Sequence, residues 1–220
     1  MRYYPIYLDL KGRDVSVVGG GAIAEGKALQ LVEAGARVTV VSPALTEELG
    51  RLVESGEITH RNGYFVEEDL SGEVLVISAT DDRKVNETVA NAAAARGLLY
   101  NVVDQPDLCN FITPALVSRG DLQISVSTGG GSPTLTQRVK REVAALIGEE
   151  YGVLLEIAAE MRAEAKDRIG DFERRKNVLR AFVESEAIEL IRAGRTDEAR
   201  RLARRFLREI EREKNESLTS

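Results

Sequence analysis

The sequence predicts an α/β protein: a parallel sheet with helices on its faces, then a short α+β segment, then a helical carboxyl-terminal domain. Three observations predict it. Short β-branched runs alternate with helical patterns up to about residue 112. A glycine turn joins the first run to the first helical pattern. From residue 149 onward strand signals vanish, and apolar residues such as Leu202 and Phe206 recur at helical spacing.

The first run, 15–19, is Val-Ser-Val-Val-Gly and reads as a buried strand. Gly19, Gly21 and Ala24 follow the G-x-G-x-x-G/A spacing of a dinucleotide-binding turn. The first glycine allows the tight turn, the second lets backbone approach a pyrophosphate, and the small third residue lets helix pack on strand. Ala22, Ile23 and Ala24 then open a helix whose free N–H groups and positive dipole end suit phosphates. Gly35 is its expected C-cap. These features make the sheet domain Rossmann-like. A second strand at 37–41 ends at Ser42-Pro43, where an acidic residue often binds a ribose. Ser42 is the available hydrogen-bonding group there. No arginine follows to receive a 2′-phosphate, so the expected cofactor is NAD. Further strands are expected at 58–61, 74–79 and 98–102, and helices at 24–34, 47–55 and 85–96.

The middle segment holds a strand at 122–127, a glycine turn and a helix from Pro133. The last segment reads as two or three helices with breaks near Gly170 and Gly194. The expected division is therefore 1–112, 113–148 and 149–220.

Composition narrows the function. A net charge of −6 argues against a nucleic-acid partner. No apolar run approaches the roughly 20 residues of a membrane span, and the start lacks a signal-peptide pattern, so a cytoplasmic location is expected. One cysteine and one histidine exclude an intrachain disulfide and a Cys/His metal cage. His60 is read as structural or exposed, and Cys109 as a small buried residue.

In an open parallel sheet, ligands bind beyond the carboxyl ends of the strands. Past the fourth strand stand Thr80, Asp81 and Asp82, one of the aspartates reading as a helix N-cap. Past the fifth stands Asp104, which position alone leaves open between turn residue and catalytic group. Ser127, Thr128, Gly129, Gly130 and Ser132, with Pro133 at the first helical position, form either a well-capped turn or an anion nest for carboxylates. Arg119, Arg138 and Lys140 are the basic side chains nearby in sequence.

The run 17–24 with Lys27, the run 79–82 with Val85-Asn86, and the run 101–104 with Pro106 together resemble precorrin-2 dehydrogenase, the family of siroheme synthases. Phe111-Ile112 with Pro114, and the run 125–130 with Ser132-Pro133, extend the resemblance over residues 2–145. It implies a tetrapyrrole substrate, precorrin-2, bearing eight carboxylates. A hydride would pass to NAD and a proton to a base, giving sirohydrochlorin. Many members then insert ferrous iron in the same pocket. The ring nitrogens ligate that metal, so no protein metal site is expected. Asp104 matches the family's catalytic aspartate. The family's second domain makes a homodimer, which assigns 113–148 as a dimerisation segment, because a lone strand at 122–127 needs an edge partner. The alternative reading from the residues is an NAD-binding sensor without catalysis.

Overall fold

The computed structural model describes residues 3–218, with side chains described through residue 208. The chain divides into two compact units, Met1–Thr113 and Pro114–Ser220.

The first unit is built on β1 (Asp14–Val18), β2 (Arg37–Ser42), β3 (Ile58–Asn62), β4 (Leu75–Ser78) and β5 (Leu99–Val102). All are parallel, in the order β3-β2-β1-β4-β5. The helices are α1 (Ala22–Glu33), α2 (Glu47–Glu54) and α3 (Arg83–Ala95). Strand alternation decides which side chains meet which helix. Val15, Val17, Val38, Val40, Leu75 and Ile77 pack with Ala24, Ala28 and Leu31 of α1 and Leu49 and Leu52 of α2. Val18, Val41 and Val76 point the other way, against Val89, Ala92 and Ala93 of α3. Both faces are therefore buried, which is why the strands read as near-continuous apolar runs. Each fully buried valine adds about 1.5 kcal/mol of transfer free energy. The chain order reverses between β1 and β4, so a crevice opens at their carboxyl ends.

Caps set the helix limits. Thr46 accepts Leu49 N–H at 3.3 Å, and Asp82 accepts Lys84 N–H at 2.8 Å. Gly35 adopts φ +76° just past α1, and its N–H donates to Val32 O at 2.8 Å.

The second unit begins with β6 (Ala115–Arg119) and β7 (Leu122–Val126), an antiparallel hairpin. The sequence reading missed β6 and left β7 without a partner. The signal was present: Gly120-Asp121 is a two-residue loop, and Gly120 has φ +56° at its first position, where a II′ turn requires glycine. Val117 faces Ile124 across the pair. Next come α4 (Pro133–Leu146), α5 (Glu150–Arg168), α6 (Phe172–Val183), α7 (Ala187–Arg192) and α8 (Thr196–Leu218). Among the described residues the carboxyl-terminal part thus has four helices rather than two or three. The extra break lies at residues 184–186, where neither glycine nor proline marks it. Leu154, Ile157, Met161, Val178, Phe182, Leu202 and Leu207 form this unit's core. Phe182 meets Phe206 edge to face, with ring centroids 6.4 Å apart.

Candidate functional site

The crevice beyond β1, β2 and β4 is a cavity of about 350 Å³. Its lining includes Gly19, Gly21, Ile23, Ser42, Tyr64 and Thr80. The three glycines of the turn do different work. A Cβ on Gly19, which has φ +120°, would stand 2.4 Å from Ala79 O. A Cβ on Gly20 would stand 1.9 Å from Ala44 O and 2.6 Å from Ser42 Oγ. These two are glycine because neighbouring backbone lies against them. Gly21 is the opposite case: a Cβ there would meet nothing within 4 Å. The space above it is open, and it lies at the N-cap of α1.

That N-terminus lacks a side-chain cap, whereas α2, α3 and α4 are capped by Thr46, Asp82 and Ser132. The first N–H groups of a helix have no intrahelical acceptor. Those of Ala22, Ile23 and Ala24 therefore face an open cradle with a positive dipole end behind them, and this fits the pyrophosphate of a dinucleotide. Ala24 is completely buried, as close packing of helix on strand requires.

Ser42 lies at the end of β2 with its Oγ donating to Ala44 O at 2.7 Å. Its proton is committed to that turn, and what it offers a ligand is an accepting lone pair. Pro43 beside it is exposed. Thr80 Oγ1 accepts Asp82 N–H at 3.2 Å, so the hydroxyl shapes its own turn. Asn86 anchors that turn from beneath. It accepts Ser78 Oγ at 2.7 Å and donates to Thr80 O at 3.0 Å, a buried polar link that sequence reasoning did not single out as a site feature. His60 is bonded to Ser42 O at 2.9 Å and is structural.

Asp104 is exposed at the carboxyl end of β5. It is the one non-glycine with positive φ among the described residues, at +61°. The next residue, Gln105, carries a buried Oε1 that accepts no hydrogen bond among the described residues. Two local costs, each about 1 kcal/mol or more, thus fall on adjacent residues. Cys109 ties the segment down. Its Sγ accepts Val102 N–H at 3.2 Å and lies 3.2 Å from Gln105 O, and burial pushes the thiol above its ordinary pKa. Asn101 Nδ2 donates to Phe111 O at 3.1 Å, closing the base of the loop.

The second glycine turn is largely self-satisfied. Gly129 N–H donates to Ser127 Oγ, Gly131 N–H to Thr128 O and Ser132 N–H to Thr128 Oγ1. Thr128 Oγ1 also pairs with Thr136, and Ser132 Oγ caps α4. Among the described residues, the backbone N–H groups of Ser127, Thr128 and Gly130 donate no hydrogen bond, and the space at Gly129 and Gly130 is open.

Arg119 and Arg138, the two arginines expected to meet substrate carboxylates, have partners within the chain. Arg119 donates Nε to Ile147 O, Nη1 to Ser118 O and Nη2 to Ala144 O, at 2.8, 2.8 and 2.9 Å. Its guanidinium closes the carboxyl end of α4, a structural task. Arg138 pairs with Glu142 one turn along the exposed surface of α4. Among the described residues, no group of three or more His, Cys, Asp or Glu side chains could hold a metal ion, and no helix is long and apolar enough to cross a membrane.

Comparison with known proteins gives consistent matches along the chain. Residues 6–115 match an NAD(P)-binding family, 119–146 the sirohaem biosynthesis protein central region, and 150–207 the sirohaem synthase dimerisation region. The siroheme synthase of Thioalkalivibrio sulfidiphilus is 42% identical over 200 residues, covering 91% of this chain and 41% of that protein. The siroheme synthase of Stutzerimonas stutzeri is 41% identical over 202 residues, covering 92% of this chain and 43% of that protein. The chain spans less than half the length of these curated relatives. The solved structure of SirC, a precorrin-2 dehydrogenase, superposes with a TM-score of 0.79 at 28% identity, covering 92% of this chain and 100% of that one. With its glycine cradle, its exposed aspartate and these matches from residue 6 to residue 207, the chain belongs to the precorrin-2 dehydrogenase family, the amino-terminal module of the siroheme synthases.

Proposed function

We propose that the chain dehydrogenates precorrin-2 to sirohydrochlorin with NAD as oxidant. The observation that carries this reading is the position of Asp104: an exposed carboxylate on a left-handed backbone, on the same carboxyl edge of the sheet as the open, uncapped glycine turn. The comparison with a solved precorrin-2 dehydrogenase supports it.

The N–H groups of Ala22, Ile23 and Ala24 would hold the pyrophosphate, with Gly19 keeping the turn tight. Ser42 and Pro43 would serve the ribose, and Thr80 the nicotinamide end. The bound nicotinamide supplies the hydride acceptor. Asp104 would take the proton released from the ring carbon skeleton, balancing the hydride that a bound NAD would accept. NAD over NADP is supported by Ser42-Pro43 closing β2 without a cation. Arg61, on the strand leading to Gly63 and Tyr64, is already held by Asp69 and Tyr64 O. Ser127, Thr128, Gly129, Gly130 and Ser132 offer substrate carboxylates an open backbone surface rather than a charged one.

The same aspartate can accept pyrrole N–H protons as ferrous iron enters sirohydrochlorin, with the four ring nitrogens as ligands. The working form is a homodimer. The match of 150–207 to a dimerisation region supports this and extends the expected surface beyond 113–148 to α5–α8. The cytoplasm is the proposed location.

Anaerobic incubation with precorrin-2 and NAD tests the reaction. The expected result is NADH and the visible spectrum of sirohydrochlorin in equal amounts, followed by the siroheme spectrum when ferrous iron is added. Cofactor binding without turnover would overturn the reading in favour of a sensor. Sedimentation showing a fully active monomer at micromolar concentration would remove the dimer.

A further inference from the structure

Lys27 is the sixth residue of α1. Its side chain is half-buried beside Ala24 and Ala28, and its Nζ donates to Thr113 Oγ1 at 3.2 Å. No carboxylate lies within ion-pair distance of it among the described residues. Other cations of the chain have one: Arg37 has Asp14, Arg83 has Glu87 and Arg192 has Glu150. Those carboxylates stabilise the charged form. At Lys27 burial acts alone and lowers the pKa. A half-buried ammonium facing a neutral hydroxyl is an incomplete electrostatic arrangement, and an anion completes it.

The position says which anion. Lys27 does not line the cavity of the glycine turn. At 1.5 Å per residue its Cα sits about 7 Å along the helix axis from Ala22. Helical side chains lean back toward the amino terminus, so the ammonium returns toward the carboxyl edge of the sheet. It arrives at the segment following β5. Val103 and Phe111 of that segment pack against the core cluster that includes Ala24 and Ala28, and Phe111 O is bonded to Asn101 of β5. Asp104 follows Val103 directly, and Thr113 lies two residues past Phe111. The ammonium therefore stands where the segment carrying Asp104 leaves and rejoins the body of the unit.

We propose that Lys27, oriented by Thr113, is an anchor for a carboxylate arm of the tetrapyrrole substrate on the Asp104 side of the sheet. The proposal rests on the precorrin-2 reading above and adds a residue to it. A cationic anchor on the Asp104 side of the sheet fixes the ring's register without placing a second acid against Asp104. It also gives an acidic protein a local positive group for a polyanion that its net charge of −6 repels.

The test uses the full chain and a stable octacarboxylate porphyrin, titrated by its visible absorbance. Lys27→Met is expected to weaken porphyrin binding about 10-fold or more, the scale of one hydrogen bond to a charged group. Lys27→Arg is expected to recover most of the loss. NAD affinity is expected to stay within about twofold, because the pyrophosphate uses α1 backbone N–H groups. With precorrin-2, KM is expected to rise while kcat changes little. Amine footprinting of the unmodified protein gives a readout that needs no variant: porphyrin should slow modification of Lys27. Porphyrin affinity unchanged in Lys27→Met, or unchanged footprinting with porphyrin bound, overturns the anchor and leaves the dehydrogenase reading standing. A fall in NAD affinity instead assigns the ammonium to the cofactor and also overturns it. If the unmodified protein neither binds the porphyrin nor turns over precorrin-2, the functional reading itself fails and the anchor with it.

Discussion

Cys109 Sγ lies 3.2 Å from the backbone nitrogen of Val102, and this contact fixes the loop that presents Asp104. The sulfur also lies 3.3 Å from Val102 O and 3.2 Å from Gln105 O, so one side chain bridges the strand end and the residue after the aspartate. Burial raises the thiol pKa, which keeps it protonated at neutral pH. The thiolate is the reactive form.

Cys109 is therefore expected to react slowly with a disulfide reagent at neutral pH in the folded protein, and quickly once the protein is unfolded in denaturant. Raising the pH should speed labelling of the folded protein later than it does for a free thiol. A fast stoichiometric reaction of the native protein at pH 7 would contradict the half-buried, hydrogen-bonded sulfur.

Gly20 and Gly21 should part company under substitution. Gly20→Ala pushes a Cβ to 1.9 Å from Ala44 O, an overlap that costs about 3 kcal/mol or more because the obstacle is backbone. Thermal unfolding should show it. The Cβ of Gly21→Val meets nothing within 4 Å in the free protein, and Gly21 has an ordinary φ of −87°. It should melt near the parent temperature and fail to bind NAD, since its side chain fills the cradle. Unchanged cofactor affinity in Gly21→Val would take the pyrophosphate away from this turn.

Much of the first unit was legible because its determinants are local. Valine-rich strands buried on both faces, a glycine turn and Gly35 as a stop are written in consecutive residues. The hairpin was half-read: Leu122 to Val126 alternate visibly, but Ala115 to Arg119 follow a proline and carry a polar Ser118 and Arg119, so β6 has a weak pattern of its own. Its identity comes from pairing across Gly120-Asp121. Arg119 shows the harder limit. Its partners at Ala144 and Ile147 are about 25 residues away in sequence, and no spacing rule tells a guanidinium that caps a helix from one that waits for a ligand. The break between α6 and α7 is marked only by Ser185, whose Oγ donates to Phe182 O and accepts Ala187 N–H, a weaker signal than glycine or proline.

The bonds of Arg119 to α4 point to a contribution to stability. Arg119→Ala removes three hydrogen bonds, two of them to carbonyls at the carboxyl end of α4, and should destabilise the protein by about 2–3 kcal/mol. Denaturant unfolding should register this, while the KM for the tetrapyrrole under folding conditions stays near that of the parent. A large rise in KM without loss of stability would return Arg119 to the substrate.

Asp104→Asn separates chemistry from conformation. Asparagine is close in size and tolerates the left-handed backbone at φ +61° as well as aspartate does. Stability and NAD affinity should therefore hold, while a general base is removed. Turnover of precorrin-2 should fall by about 10²-fold or more, the usual worth of a positioned base. Asp104→Val is the complementary variant. A β-branched residue resists that φ, so it should lose stability as well as turnover. If Asp104→Asn dehydrogenates at near the parent rate, the proton goes to water or to another group, and the left-handed turn at Asp104 serves the loop alone. If iron insertion falls together with dehydrogenation, one carboxylate serves both reactions; if only dehydrogenation falls, the chelating base is a different residue.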